Sequence, residues 1–328
     1  MGFLAGLPKK VETYLALFLS HPVRPLSRLT AAQIARSVLP MPSGALRALL
    51  TRSIDYAGMF PPCSLDLEPA LQKQAAYVRD ADSWMLSTFV LPIAQFGNAA
   101  AHLSLFDAKH PLRISALGPK TNSADEFGAK IKEVAEAIRV FAKEHVDLVS
   151  IDQLEMPLVG DLPRIDLNMA TFWEAAEQTI PEIARAKIDK YGFKLRTGGV
   201  TAEAFPTSAQ IAKALVAAAK HRVPIKFTAG LHHPIRMFRD EVKTKMHGFL
   251  NVLGAGVLAF EHSWDEAQTT AMLDDEDAKS FSFDDKRFAW REWKIDIDRI
   301  EAHRKFVTSF GSCSFDEPRE DLRALNLL

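Results

Sequence analysis

From Arg52 onward, short apolar runs of strand length alternate with longer segments whose apolar residues recur at three- and four-residue steps, a rhythm that few folds satisfy. A strand followed each time by an amphipathic helix is a βα unit, and successive units build a parallel sheet with its helices outside. Strands are expected near residues 53–59, 84–91, 112–117, 148–154, 170–173, 193–196, 224–228 and 280–283. Helices are expected at 66–79, 123–145, 173–190, 208–221 and 247–260, and the segment 296–310 is expected to close the ring. Eight strands of this kind predict an α/β protein of the (β/α)8, TIM-barrel type. A doubly wound open sheet has the same alternation and stands as the alternative, since periodicity does not show whether a sheet closes. No glycine fingerprint for a dinucleotide follows a strand; Gly254-Ala255-Gly256 lies inside a helical run.

A chain of 328 residues accommodates such a barrel with an extension. Residues 1–50 are helical in pattern and broken by Pro22, Pro25, Pro40 and Pro42, so they are assigned to an N-terminal helical extension and residues 51–328 to the catalytic barrel. The extension would cover the barrel floor or make a subunit contact, which leaves a homo-oligomer open. A formal net charge of -1 gives no general attraction to nucleic acid or to an anionic membrane. The expected partner is a small anionic metabolite held by a local cluster. Two cysteines, Cys63 and Cys313, are too few for a secreted disulfide framework. The N-terminal residues show no signal-peptide or anchor pattern, and the expected location is cytoplasmic.

The chemistry-bearing residues stand out by period. In Phe193-Lys194-Leu195-Arg196-Thr197-Gly198-Gly199, Lys194 and Arg196 share one strand face and Phe193 and Leu195 the other. In Ile225-Lys226-Phe227-Thr228-Ala229-Gly230 the arrangement repeats, with Lys226 and Thr228 on one face. If the apolar faces pack on helices, the cations converge inside the barrel near the C-terminal strand ends. There they would hold a phosphate or carboxylate, with Arg196 as a fork and Thr197, Gly198, Gly199 and Thr228 around it. Mutual repulsion and desolvation would also lower one lysine's pKa and yield the neutral amine that imine chemistry needs. In the plainer reading the cations pair with barrel carboxylates and only fill the interior.

These two segments, Phe193-Lys-Leu-Arg-Thr-Gly-Gly and Ile225-Lys-Phe-Thr-Ala-Gly, resemble the paired lysine strands of the deoxyribose-phosphate aldolase group of class I aldolases. In that family a Lys-x-x-Thr-Gly strand carries the imine-forming lysine and the next strand's lysine depresses its pKa. The resemblance implies Lys194 as nucleophile and Lys226 as its electrostatic neighbour. It covers some forty residues. Arg196 is an additional cation, Gly230-Leu231-His232-His233 replaces a glycine pair, and the family's phosphate-binding Gly-Ser turn after the last strand is not found.

His232 and His233 follow a strand directly, where a proton shuttle or ligand contact belongs; His232 is the preferred shuttle and His233 a binding residue, and backbone-bonded loop histidines are the plain alternative. Asp55 and Asp152 are the preferred carboxylates for proton relay, ahead of Glu155 and Glu174. No zinc-ligand spacing occurs, and no cofactor is expected, although an oxygen site built from Asp152, Glu155 and Glu174 would leave no local signal. Tyr56 or Phe60 would wall the pocket, and the basic stretch 236–245 would be a lid or a solvated connection. Cys313 has no adjacent base, and Ser312 or Ser314 would cap the last helix with Glu317. Together these residues predict an aldolase-like lyase acting through a lysine imine on a small phosphorylated or carboxylated carbonyl compound. A metal-assisted isomerase or hydrolase, and a non-catalytic barrel that binds an anion, are the alternatives.

Overall fold

The computed structural model describes residues 42–120, 124–156 and 192–328. The strand and helix expected at 170–173 and 173–190, Glu174, and residues 1–41 of the extension lie outside them. Residues 42–328 form one compact unit. Its first helix, α1 (Gly44–Leu50), belongs to the core rather than to an extension, because Leu46, Leu49 and Leu50 are fully buried in it.

Among the described residues seven strands make the central sheet: β1 (Ile54–Tyr56), β2 (Leu86–Pro92), β3 (Leu112–Leu117), β4 (Val149–Glu155), β5 (Phe193–Arg196), β6 (Ile225–Thr228) and β12 (Val307–Ser312). Their order is β4-β3-β2-β1-β12-β6-β5, and every pairing is parallel. Each described strand therefore lies beside its chain neighbour, and the first lies beside the last. The sheet is strongly curled. Laid flat, six inter-strand steps would hold β4 and β5 about 29 Å apart, yet Lys194 of β5 and Glu155 of β4 form an ion pair.

Helices α2 (Leu67–Tyr77), α3 (Phe96–Ala100), α4 (Ala124–Glu144), α5 (Ser208–His221), α6 (Phe249–His262), α7 (Glu266–Leu273), α8 (Ile297–His303) and α9 (Asp316–Ala324) connect and cover the strands. Two small antiparallel elements interrupt the pattern: the hairpin β7 (Met237–Arg239) with β8 (Thr244–Met246), and the three-stranded β9 (Phe281–Phe283), β10 (Arg287–Trp290) and β11 (Trp293–Asp296). The expected eighth strand at 280–283 is thus corrected. Phe281–Phe283 pairs with β10 in the side sheet, and the strand beside β1 is Val307–Ser312. Its period was hidden because Phe310, Gly311 and Ser312 are all buried and break the alternation. The stretch 236–245 holds the β7–β8 hairpin.

Local chemistry explains why the clearest helix was read to the residue. At α5, Thr207 and Gln210 make a reciprocal capping box, and Arg222 ends the helix in the left-handed conformation at φ 54. Helix α6 is apolar on every side and buried from Phe249 to Ala259, as such a helix must be. It sits so close to the sheet that a Cβ at Gly256 would lie 2.7 Å from a methyl of Val307 on β12. Gly256→Val is expected to cost about 1–3 kcal/mol by overpacking, read as a lower urea midpoint; an unchanged midpoint would refute this packing.

Candidate functional site

The alternation that buries Ile54, Tyr56, Phe89, Ile114, Leu195, Ile225, Phe227 and Phe310 against helices turns their neighbours Asp55, Ser115, Lys194, Lys226 and Ser309 to the concave face of the sheet. Lys194 and Lys226 stand directly opposite each other on β5 and β6. Their ammonium groups meet at one carboxylate: Glu155 accepts from Lys194 through Oε2 and from Lys226 through Oε1, the latter at 2.7 Å. Ser115 donates to the same Oε1 at 2.7 Å.

Lys226 is saturated. Its Nζ lies 2.7 Å from Glu155, 2.6 Å from Gln153 Oε1 and 2.8 Å from Asp55 Oδ2, which uses all three N–H donors of an ammonium. Asp55 is fully buried and completes its own shell with hydroxyl donors, Thr88 to Oδ1 and Ser309 to Oδ2, both at 2.6 Å. Burial pulls the Lys226 pKa down, but Asp55 and Glu155 outweigh it and hold the ammonium well above its ordinary range. Burial likewise opposes ionisation of Glu155, and the two lysines override it, bringing its pKa down to about 2. The repulsion expected between two bare lysines is therefore offset by carboxylates, and Lys226 is a fixed cation rather than a neutral amine.

Lys194 differs. Its side chain is 38% exposed against 13% for Lys226, and its ammonium has Glu155 as its one partner among the described residues. It is the reachable amine of the cluster. Arg196, one turn of the pleat further along, is exposed; its Nε donates to the Gly198 carbonyl at 2.9 Å, and it has no carboxylate partner among the described residues. The Lys194–Lys226–Asp55–Glu155 group is balanced in charge, and Arg196 stands beside it as a further cation.

No family model, curated protein or solved structure matches this chain. The site's chemistry is therefore read from its own residues.

Several expected residues take other positions. Asp152 does not reach the lysines; it sits in the β3–β4 irregularity and pairs with Arg52 at 2.7 Å and with Arg113, at the N-terminal strand ends. Thr197 is buried, and its hydroxyl donates to the Ala229 carbonyl at 2.7 Å, so it clamps two strand ends instead of facing a ligand. Gly198 packs on Gly230, whose backbone is at φ 77; a Cβ on Gly198 would lie 2.8 Å from the Gly230 Cα. Gly199 and Thr228 remain beside Arg196 and Gly311 respectively. His232 and His233 are buried and held by α9: His232 Nδ1 lies 3.0 Å from Glu317, and His233 Nδ1 lies 2.6 Å from Asp321. They fasten the last helix to the loop after β6. Tyr56 is fully buried and packs on Tyr77 and Phe89 behind the sheet. Ser314 does meet the last helix as expected, accepting from the Glu317 N–H at 3.2 Å.

Glu155, ranked behind Asp152 from sequence, is the centre of the site. Gln153, Ser115, Thr88 and Ser309 are site residues that the sequence signals poorly: only Ser115 stands in a regular alternation, two positions after Arg113, whereas Thr88, Gln153 and Ser309 each follow another polar residue, Ser87, Asp152 and Thr308. Among the described residues no three His, Cys, Asp or Glu side chains group to hold a metal ion, and no described helix is long and apolar enough to cross a membrane.

Because Glu155 is held below its ordinary 4.5, its contribution to stability is present above that pH and is lost as pH falls toward about 2. Urea midpoints measured from pH 6 downward are expected to fall steeply below pH 4.5 in the native protein and less so in Glu155→Gln. Parallel curves would contradict the ion-pair assignment.

Proposed function

We propose that this chain is an aldolase-like lyase that acts on a small phosphorylated or carboxylated carbonyl compound through an imine at Lys194. The observation that carries the proposal is the asymmetry of the paired lysines: Lys226 is buried and saturated by Asp55, Glu155 and Gln153, whereas Lys194 is half-exposed beside Arg196, which has no carboxylate partner among the described residues. In this reading the substrate's anionic group rests on Arg196 near Gly199, and its carbonyl carbon meets the Lys194 nitrogen. Lys194 gives its ammonium proton to solvent at the open mouth and the carbinolamine oxygen takes one back as water leaves, while Glu155, held as a carboxylate that touches both lysines, keeps the Lys194 nitrogen in place. The iminium then accepts the electron pair of the breaking carbon–carbon bond and becomes an enamine, while the β-hydroxyl of the departing fragment loses its proton to solvent and becomes the carbonyl of the released aldehyde. Protonation of the enamine carbon and hydrolysis by water return the second carbonyl product and free Lys194. Lys226 supplies a fixed positive charge beside the reacting nitrogen, and Asp55 positions it.

The same proposal includes closure of the sheet into a (β/α)8 barrel. The cyclic strand order has its one gap between β4 and β5, where the ion pair of Lys194 with Glu155 already spans the edges, and the run expected as a strand at 170–173 falls between them in the chain.

The test is borohydride reduction with a panel of phosphorylated and carboxylated aldehydes and ketones, followed by peptide mapping. A stable adduct at Lys194 supports the lyase. Absence of any Lys194 adduct refutes it, and a raised melting temperature with the same anions then favours the non-catalytic anion-binding barrel.

A further inference from the structure

We propose that Cys63 and Cys313 are the two halves of a reversible disulfide that ties the loop after β1 to the end of β12. They are the chain's two cysteines, 250 residues apart in sequence, and their sulfurs lie 2.7 Å from each other with both thiols free. The approach is built by backbone on both sides. Strands β1 and β12 are neighbours with Tyr56 opposite Ser312, and the Ala57 N–H donates to the Ser312 carbonyl at 2.7 Å. Cys313 is the next residue. The loop that carries Cys63 is folded back by bonds from the Phe60 N–H to the Ala57 carbonyl at 2.9 Å and from the Ser64 N–H to the Phe60 carbonyl at 3.0 Å. Gly58 permits this path, since a Cβ there would lie 2.2 Å from the Tyr56 hydroxyl oxygen.

The two thiols differ in the way a resolving pair requires. Cys63 is exposed and meets oxidant first; Cys313 is buried, and burial followed by its bond to Cys63 pushes its thiol up to about 12, so it waits as a thiol. With a peroxide as oxidant, the Cys63 thiolate attacks one oxygen, the O–O bond breaks and hydroxide departs, leaving a sulfenic acid. The Cys313 sulfur then attacks the Cys63 sulfur, the S–O bond breaks, and the hydroxyl leaves as water with the Cys313 proton. Two thiols and one hydrogen peroxide thus give one disulfide and two waters. A dithiol reductant reverses the bond by exchange. The bond would join β1, which carries Asp55, to β12, which carries Ser309, and so brace that carboxylate against one of its hydroxyl donors.

The experiment treats the reduced full-length protein with hydrogen peroxide at low protein concentration. Intact mass, thiol titration and non-reducing peptide maps are expected to show both thiols lost, two hydrogens removed and a Cys63–Cys313 linked peptide, restored by dithiothreitol. The oxidised form is expected to melt roughly 5–15 °C higher, because the bond closes a long loop in the unfolded chain. In Cys313→Ser the reaction is expected to stop at a Cys63 sulfenic acid that dimedone traps. Disulfide-linked dimers, sulfinic acid at Cys63 with Cys313 still a free thiol, or a bond that dithiothreitol does not open would each overturn the proposal.

Discussion

Lys226→Met is expected to lower stability by about 3–5 kcal/mol, the cost of removing one partner from a buried ion cluster, which corresponds to a melting-temperature drop of roughly 10 °C for a unit of this size. Methionine fills most of the same volume, so the loss is electrostatic rather than a cavity effect. Among the described residues it leaves Asp55 with no ion-pair partner, only Arg304 acting on it from further away, and Glu155 with Lys194 alone. The pH dependence separates this from a packing defect. In the variant the uncompensated carboxylates resist ionisation, so their folded-state pKa values rise and acid relieves the penalty. In the native protein Glu155 is held near 2, so acid removes stability. The gap between the two proteins should be widest near neutrality and close as pH falls below 4.5. A gap independent of pH would mean that Lys226 acts only by packing.

The second large effect is on reactivity. Lys194→Arg keeps a cation beside Glu155 but cannot form an imine, so borohydride trapping should vanish and turnover of any substrate identified should fall by about 10³-fold or more. Stability should change by only about 0–1 kcal/mol, because the pair is partly exposed. Folded yet inactive is the expected signature, checked by circular dichroism beside a single-turnover assay. Retained trapping would move the nucleophile elsewhere; loss of folding would make Lys194 a structural residue like Lys226.

Strand and helix positions were legible wherever local chemistry dictates them. Ser208–His221 announces itself through Thr207 and Gln210 at its start, and Phe193–Arg196 and Ile225–Thr228 through alternation of large apolar and charged residues. The same alternation places Lys194 and Lys226 on one face, since period two follows from the pleat and needs no neighbour. The pairing of β12 with β1 was not legible, because a bulge between Val307 and Phe310 interrupts the period and because β9 offers a more regular pattern nearby.

Carboxylate choice failed for a related reason. Asp152 and Glu155 both sit on β4, and a one-residue irregularity between Ile114 and Ser115 sends one to Arg113 at the N-terminal end and the other to the lysines. A single-residue shift of register exchanges the faces of a strand, and nothing in the local sequence of β4 reports it. The histidine pair shows the same limit: His232 and His233 looked poised for chemistry after β6, and their partners Glu317 and Asp321 lie more than eighty residues away in the chain.

Residue order alone thus settled that this is a parallel α/β chain with two facing lysines, since strand period and helix caps depend on neighbours only a few residues away. Which lysine is locked and which is accessible, and which carboxylate joins them, were decided by the curl of the sheet; that Cys63 meets Cys313 was decided by the pairing of β1 with β12. That curl brings β4 within side-chain reach of β5 and β6, and it depends on packing between strands far apart in the chain.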